Sequence, residues 1–351
     1  MRRLIWVLMV GCTVAACVGG ESGEDVSAPQ VIAGAPTLEI GSTGDSSALT
    51  FGSISDVEVR PDGTLLIADQ LAARVVHVSP EGTVIATFGR SGSGPGEFVG
   101  PVDLALLPGD EYAVLDVDRG LATRVRVAGD RHSYVGDLPL RLQALHFCSL
   151  GAELVVDSYF GDHAFYRYDL EGELVQEYYP LPETVDPAFD AAAQETMRGR
   201  LGLGNLRCLE TGEVLFLPEY DSALRAFAPN GQEEWSVRLQ PHATLGYRRD
   251  PEGRPTVEVP AQGWVHRGVA VHAVGPDLIL AQLQHFGDSA GGRADPPTEM
   301  RLIRPSTGEQ FTVIDTLPTL AYVAAEYAWG WRNLPFPQVV RIPFKVQMPH
   351  D

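Results

Sequence analysis

The sequence predicts an all-β chain closed into a six-bladed β-propeller, on three observations. A two-beat unit of turn, apolar strand, second strand and turn returns about once every 40 to 60 residues, a period that marks propellers when built from short strands. The central strands of these units are almost continuously apolar, as in sheets packed on both faces. The last unit lacks a fourth strand, and a spare strand lies ahead of the first.

The clearest unit runs from Val57 through Pro61-Asp62-Gly63 and Leu65-Leu66-Ile67-Ala68-Asp69, then Arg74 to Val78, Glu81-Gly82 and Val84 to Phe88. Its Gly residues supply the positive φ that tight hairpins need. Further first turns are Pro108-Gly109-Asp110, Leu150-Gly151, Thr211-Gly212 and Gly275-Pro276. The matching second turns are Gly129-Asp130, Glu171-Gly172, Asn230-Gly231 and Thr307-Gly308. A sixth, incomplete blade follows, with a strand from Tyr322 to Trp331, a turn at Arg332-Asn333-Leu334-Pro335 and a strand from Pro337 to Val346. Thr37-Leu38-Glu39-Ile40 has no blade of its own, and pairing it with Val339 to Phe344 would remove both free edges of the ring. The propeller is therefore placed over 37–348.

Three inserts interrupt the rhythm. Over 186–201 a helix is predicted, with Asp186 as N-cap, Pro187 in its first turn and Ala191 to Arg198 as strong helix formers. The stretch 246–264 reads as a long loop, and 287–297 lengthens a hairpin of the fifth blade. Long inserts on a rigid scaffold are where binding surfaces usually sit.

The linker Phe88-Gly89-Arg90-Ser91-Gly92-Ser93-Gly94-Pro95-Gly96-Glu97-Phe98, followed by Pro101, is similar to the inter-blade linker of NHL-repeat propellers. Pro61 to Asp69, with Arg74 opening the next strand, shares the resemblance. Where the NHL pattern usually has an Asn between that Asp and Arg, this chain has Gln70-Leu71-Ala72-Ala73. The resemblance implies a six-bladed propeller of the bacterial lipoprotein type. NHL proteins include peptide, protein and RNA binders and a few enzymes, so no function follows from it.

The ends suggest a location. Arg2-Arg3 followed by Leu4 to Val10 reads as a signal peptide over 1–17, too short to span a bilayer. Val14-Ala15-Ala16-Cys17 resembles the lipobox of bacterial lipoproteins, which implies lipid on Cys17 and, with Val18 following, the outer membrane facing the periplasm. The acidic, Gly-rich stretch 18–36 is expected to be a flexible tether. A net charge of −20 excludes nucleic acid as the partner, and leaves the N-terminal lipid as the only membrane contact.

Candidate chemistry is sparse. Gly92, Gly94 and Gly96 lead into a strand, not a helix, so they are linker rather than phosphate cradle. Gly287-Asp288-Ser289-Ala290-Gly291 matches a nucleophile elbow, but Gly292 to Pro297 cannot start the helix that motif requires. Asp69, Asp116 and Asp157 end the second strand of successive blades, and each is expected to accept N–H bonds within its own turn. His266 and His272 flank one expected inner strand and His146 lies in another, without metal-ligand spacing. The Glu, Asn and Asp set of lactonase-type propellers is not matched, so no metal and no cofactor are expected. Cys148 and Cys208 hold nearly matching places in neighbouring blades, where a disulfide and two free thiols are both open readings. Arg207, His266 and Arg267, at or before inner strands, are the candidate ligand contacts. The preferred reading is a lipid-anchored binding or scaffolding module at the cell envelope, with an envelope protein, peptide or glycan as partner. A hydrolase or lyase acting at the channel mouth is the alternative.

Overall fold

Short apolar runs separated by Gly turns make each unit fold back on itself as antiparallel strands, and the strands then bury both faces against the next unit. The computed structural model describes residues 29–348 apart from 42–48, 141–142, 186, 188, 220, 222, 240–245, 259–265, 286–297 and 316. Two leading strands, β1 (Gln30–Ala33) and β2 (Leu38–Ile40), precede the first blade. Blade 1 comprises β3 (Ile54–Val59), β4 (Leu65–Asp69), β5 (Arg74–Val78) and β6 (Val84–Phe88). Blade 2 comprises β7 (Pro101–Leu107), β8 (Glu111–Asp116), β9 (Leu121–Ala128) and β10 (Arg131–Pro139). Blade 3 comprises β11 (Phe147–Ser149), β12 (Glu153–Asp157), β13 (His163–Asp169) and β14 (Leu174–Pro180).

Helix α1 (Ala191–Gly202) leads into blade 4, made of β15 (Gly204–Cys208), β16 (Val214–Pro218), β17 (Ala223–Phe227) and β18 (Glu233–Arg238). A separate hairpin, β19 (Gly246–Arg249) with β20 (Pro255–Glu258), leads into blade 5. That blade holds β21 (His266–Gly275), β22 (Leu278–His285), β23 (Thr298–Arg304) and β24 (Glu309–Asp315). Blade 6 holds β25 (Thr319–Val323), β26 (Tyr327–Arg332) and β27 (Gln338–Gln347), completed by both leading strands.

The first strands β3, β7, β11, β15, β21 and β25 touch in that order, and β25 returns to β3, so six blades close around a channel. Closure uses the expected pairing, with Leu38 opposite Arg341 and Ile40 opposite Val339. It also uses more chain than expected. Gln30–Ala33, placed in the tether by composition, pairs with Gln347 to Phe344 of β27. The ring thus begins at Gln30, not at Thr37; its alternating exposure, with Val31 and Ala33 packed inward against the blade 5–6 cluster, explains why. Residues 1–28, on which the expected signal peptide, Cys17 and most of the expected tether fall, lie outside the described residues.

The core sits between blades. One apolar cluster fills each of the six seams; between blades 1 and 2, for instance, Leu66 and Val75 meet Phe98, Leu104 and Tyr112. Three further expectations change. The sixth-blade strand over Tyr322 to Trp331 is two strands, split at Ala324, whose amide bonds the Tyr327 carbonyl across the turn. The helix starts at Ala191, because Asp190, not Asp186, takes the Ala193 amide at 2.9 Å as N-cap. The stretch 246–258 is a hairpin, turned by the Asp250 carboxylate accepting the amides of Glu252 and Arg254. The insert 287–297, with Ser289, lies outside the described residues.

Chain direction gives the two ends of the channel different characters. Inner strands all start at one face and finish at the other. The connections leaving their C-terminal ends are short, such as 60–64, 108–110 and 209–213. Every insert leaves from the opposite face: α1 and the β19–β20 hairpin precede inner strands, and 286–297 joins β22 to β23. We call these the turn face and the insert face.

Candidate functional site

Residues of the inner strands alternate between the seams and the axis, and their polar side chains converge on a cavity of about 270 Å³ lined by Asp56, Glu58, Asp103, Arg207 and His272 among others. Asp56 and Asp103 hold the same place in blades 1 and 2, two residues past Ile54 and Pro101, the partners of Asp69 and Asp116. Their carboxyls hydrogen-bond to each other, and both accept from the Leu104 amide, at 3.0 Å for Asp56 and 2.9 Å for Asp103. Asp103 also takes the Phe147 amide of blade 3 at 2.8 Å. Burial raises Asp56 above the ordinary carboxylate range. Burial, and then the neighbouring Asp56, raises Asp103 well above it. A hydrogen bond between two carboxyls requires one of them to keep its proton.

The raised values set the sign of a pH dependence. Unfolded, both groups titrate near the usual value of about 4; folded, they hold protons that the unfolded chain has released. Stability is therefore expected to fall as pH rises from about 4 through the raised folded values. Asp56→Asn supplies the bridging hydrogen permanently and should flatten that fall in thermal unfolding measured between pH 5 and 9. Asp56→Ala removes the bond from the Leu104 amide to blade 1, leaving Asp103 to accept it, and should cost about 0.5–1.5 kcal/mol. Identical pH profiles for wild type and Asp56→Asn would remove the shared proton.

Toward the turn face, Arg207 of blade 4 reaches across the channel to Glu58 of blade 1, on the far side of the ring, at 4.0 Å. Removal of water by the channel walls pushes the Glu58 carboxyl up to about 8, with Arg207 pulling the other way and Asp56 adding to the rise. The two side chains remain 24% and 35% exposed, so the pair still meets channel water and is a loose bar, not a buried lock. Burial drives His272 down to about 3, and its Nε2 donates to the Leu320 carbonyl at 3.2 Å. His146, which also lines this cavity, has Nδ1 3.0 Å from the Asp157 carboxylate. Among the described residues no group of three or more His, Cys, Asp or Glu is placed to hold a metal ion.

Each seam is stapled near the axis. Asp56 joins blades 1 and 2, and Asp103 joins 2 and 3. Cys148 and Cys208 join 3 and 4 as a disulfide, with Cα atoms 5.6 Å apart. Asn205 donates to the Gly268 carbonyl between 4 and 5 at 3.0 Å. Gln282 takes the Leu320 amide and donates to the Pro318 carbonyl between 5 and 6, both at 2.9 Å. Asn333 brackets Ile54 between 6 and 1, taking its amide and donating to its carbonyl, both at 2.8 Å. All three Asn residues are thus engaged in the scaffold, Asn230 accepting the Gln232 amide within its turn at 3.0 Å. Asp69, Asp116 and Asp157 are structural too, but they reach further than their own turns. They accept from Gly52 and Ser53, from Val99 and Gly100, and from Leu145 and His146, the chain entering each inner strand.

The three candidate ligand contacts do not come together. Arg207 is one residue from the end of β15, near the turn face, whereas His266 and Arg267 open β21 at the insert face. Sequence reasoning passed over Asp56, Glu58 and Asp103, although an Asp at one position of two successive inner strands was a readable signal. The linker behaves as expected: Phe98 is fully buried between blades 1 and 2, and Glu97 takes the Gly94 amide and pairs with Arg90.

No family model matches the sequence, and no curated protein matches it. Solved structures do resemble the fold. A member of the DUF4221 family from Bacteroides vulgatus is similar with a TM-score of 0.57 and 10% identity, over 91% of this chain and 99% of that one. A protein described as exported, from Bacteroides fragilis, gives 0.55 at 10% identity over 90% and 95%. Virginiamycin B lyase from Staphylococcus aureus gives 0.50 at 10% identity over 90% and 99%. The chain is thus a six-bladed β-propeller. At such identities the likeness is one of fold alone.

Proposed function

We propose that this propeller is a binding module held at the bacterial cell envelope by lipid on Cys17, recognising an envelope protein, peptide or glycan through its insert face. The observation that carries this reading is the asymmetry of the connections: short turns close one face, while helix α1, the β19–β20 hairpin and the 286–297 connection all leave from the other. Helix α1 and β20 touch, so two of the inserts form one surface. His266 and Arg267 start their strand at that face and are kept as candidate contacts; Arg207 is assigned to barring the turn-face mouth.

The path of the chain supports the orientation. Gln30 pairs with Gln347 at the turn face, so a tether from Cys17 reaches the ring there and leaves the insert face turned away from the lipid. The linker built around Phe98 is consistent with an NHL-like propeller of outer-membrane lipoprotein type, facing the periplasm. Against the hydrolase or lyase reading, Asp56, Asp103 and His272 are engaged in holding blades together, and a histidine driven to about 3 is a poor general base near neutral pH.

Two measurements test the proposal. Cys17→Ser should move the protein from the membrane fraction to the soluble fraction. In pull-downs from envelope extract, replacing 246–264 by a short Gly-Ser turn should remove at least one partner that wild type recovers. Equal recovery of all partners would take that surface out of the reading.

A further inference from the structure

On the insert face, a cleft of about 560 Å³ lies between helix α1 and the loop that follows β12. Its walls are fixed by close backbone packing. A Cβ at Gly199 would collide with the Tyr159 carbonyl oxygen, and one at Gly202 with that of Ser158, so only glycine lets the helix sit this near the loop. The Arg198 guanidinium ties the two together, donating to the Gly161 carbonyl at 3.1 Å and to the Asp162 carboxylate. The cleft is therefore preorganised, which lowers the entropic cost of filling it.

The lining combines two features. Phe160 is 46% exposed, unusual for a ring of its size, and is held edge-on against Tyr159 with centroids 4.8 Å apart. Around these rings stand Asp162, Glu183 and Glu195, three carboxylates against the single cation Arg198, which Asp162 already engages. Glu183 and Glu195 have no ion pair among the described residues. An aromatic face beside unpaired carboxylates suits a cation carried on an apolar or planar stem. The chain's charge of −20 adds long-range attraction for a basic partner.

We propose that this cleft receives a lysine or arginine side chain presented by a polypeptide partner. A polypeptide is favoured over a free amine because α1 also touches β20, so a segment that places its side chain in the cleft can lay its backbone along the hairpin. The inference deepens the binding-module reading and rests on it.

The test uses the purified full chain and a fluorescent peptide, Gly-Gly-Arg-Gly-Gly, with a second carrying Lys in the same place, followed by polarisation. Wild type should bind both. Phe160→Ala, and separately Glu183→Gln with Glu195→Gln, should weaken binding at least tenfold. The charge-matched control, Glu171→Gln with Glu173→Gln in the β13–β14 turn on the opposite face, should stay within twofold of wild type. Equal weakening by cleft and control variants would reduce the effect to net charge and overturn the proposal. Full binding by the cleft variants would overturn it too, as would n-butylamine competing as well as the peptide on a molar basis. Absence of peptide binding while envelope pull-downs still recover partners would sink the cleft and leave the binding-module reading standing.

Discussion

Deleting residues 1–41 is expected to leave a propeller that cannot close and that aggregates or melts at least about 5 °C lower. The deletion strips β27 of both its outer partners, exposing a hydrogen-bonding edge from Val339 to Gln347. It also removes Ile40, 3% exposed, from a cluster with Val57, Val76, Trp329 and Val339, and Val31 and Ala33 from the facing of Phe344. Burial of three or four such side chains contributes on the order of 5 kcal/mol. Because β27 ends at the turn face where β1 begins, joining residues 29–41 behind residue 348 through a short Gly-rich turn should restore the wild-type melt. A monomeric deletion variant with an unchanged melting temperature would show that the sheet does not need its leading strands.

The second large effect concerns the seam between blades 3 and 4. Replacing Cys148 and Cys208 by Ser is expected to cost about 4 kcal/mol, the loop-closure value for a cross-link spanning about 60 residues. For a chain of this size that corresponds to a fall of about 6 °C in melting temperature. The other five seams carry hydrogen-bonded staples near the insert-face start of the inner strands, whereas this one carries a covalent bond nearer the turn face, so its loss should fall on cooperativity as well as on stability. A reducing agent should reproduce the shift in wild type and leave the Ser variant unmoved. A reductant-induced change under 2 °C would mean that the bridge is dispensable.

Both effects depend on elements that were readable to different degrees. Leu38-Glu39-Ile40 stands out as an alternating strand without a blade, and the missing fourth strand after Val346 tells where it belongs. Gln30-Val31-Ile32-Ala33 does not stand out, because four residues between acidic and Pro-containing stretches look like tether until β27 lies alongside. The cap at Asp190 was hidden by Asp186-Pro187, an equally good start signal four residues earlier. The β19–β20 hairpin was hidden by its Arg, Pro and Glu content, which suits an exposed two-stranded ribbon as well as a loop. At the site, Arg207 was picked out by position, but Glu58 was not, since nothing local says that blade 1 faces blade 4 across an axis.

What the amino-acid order determined alone is the set of local choices: period-two apolar runs that must be strands, Gly-bearing turns that must reverse them, and the number of times the unit recurs. These rest on interactions among residues close in the chain, and they sufficed for six blades and for closure by a leading strand. What only the tertiary structure decided is how the ring is fastened and which face is free to bind. Asn333 brackets Ile54 across 279 positions, and Arg207 meets Glu58 only because the ring brings opposite blades within reach. Side chains that bridge blades are chosen by distance in space after the ring has closed, and no local pattern carries that distance.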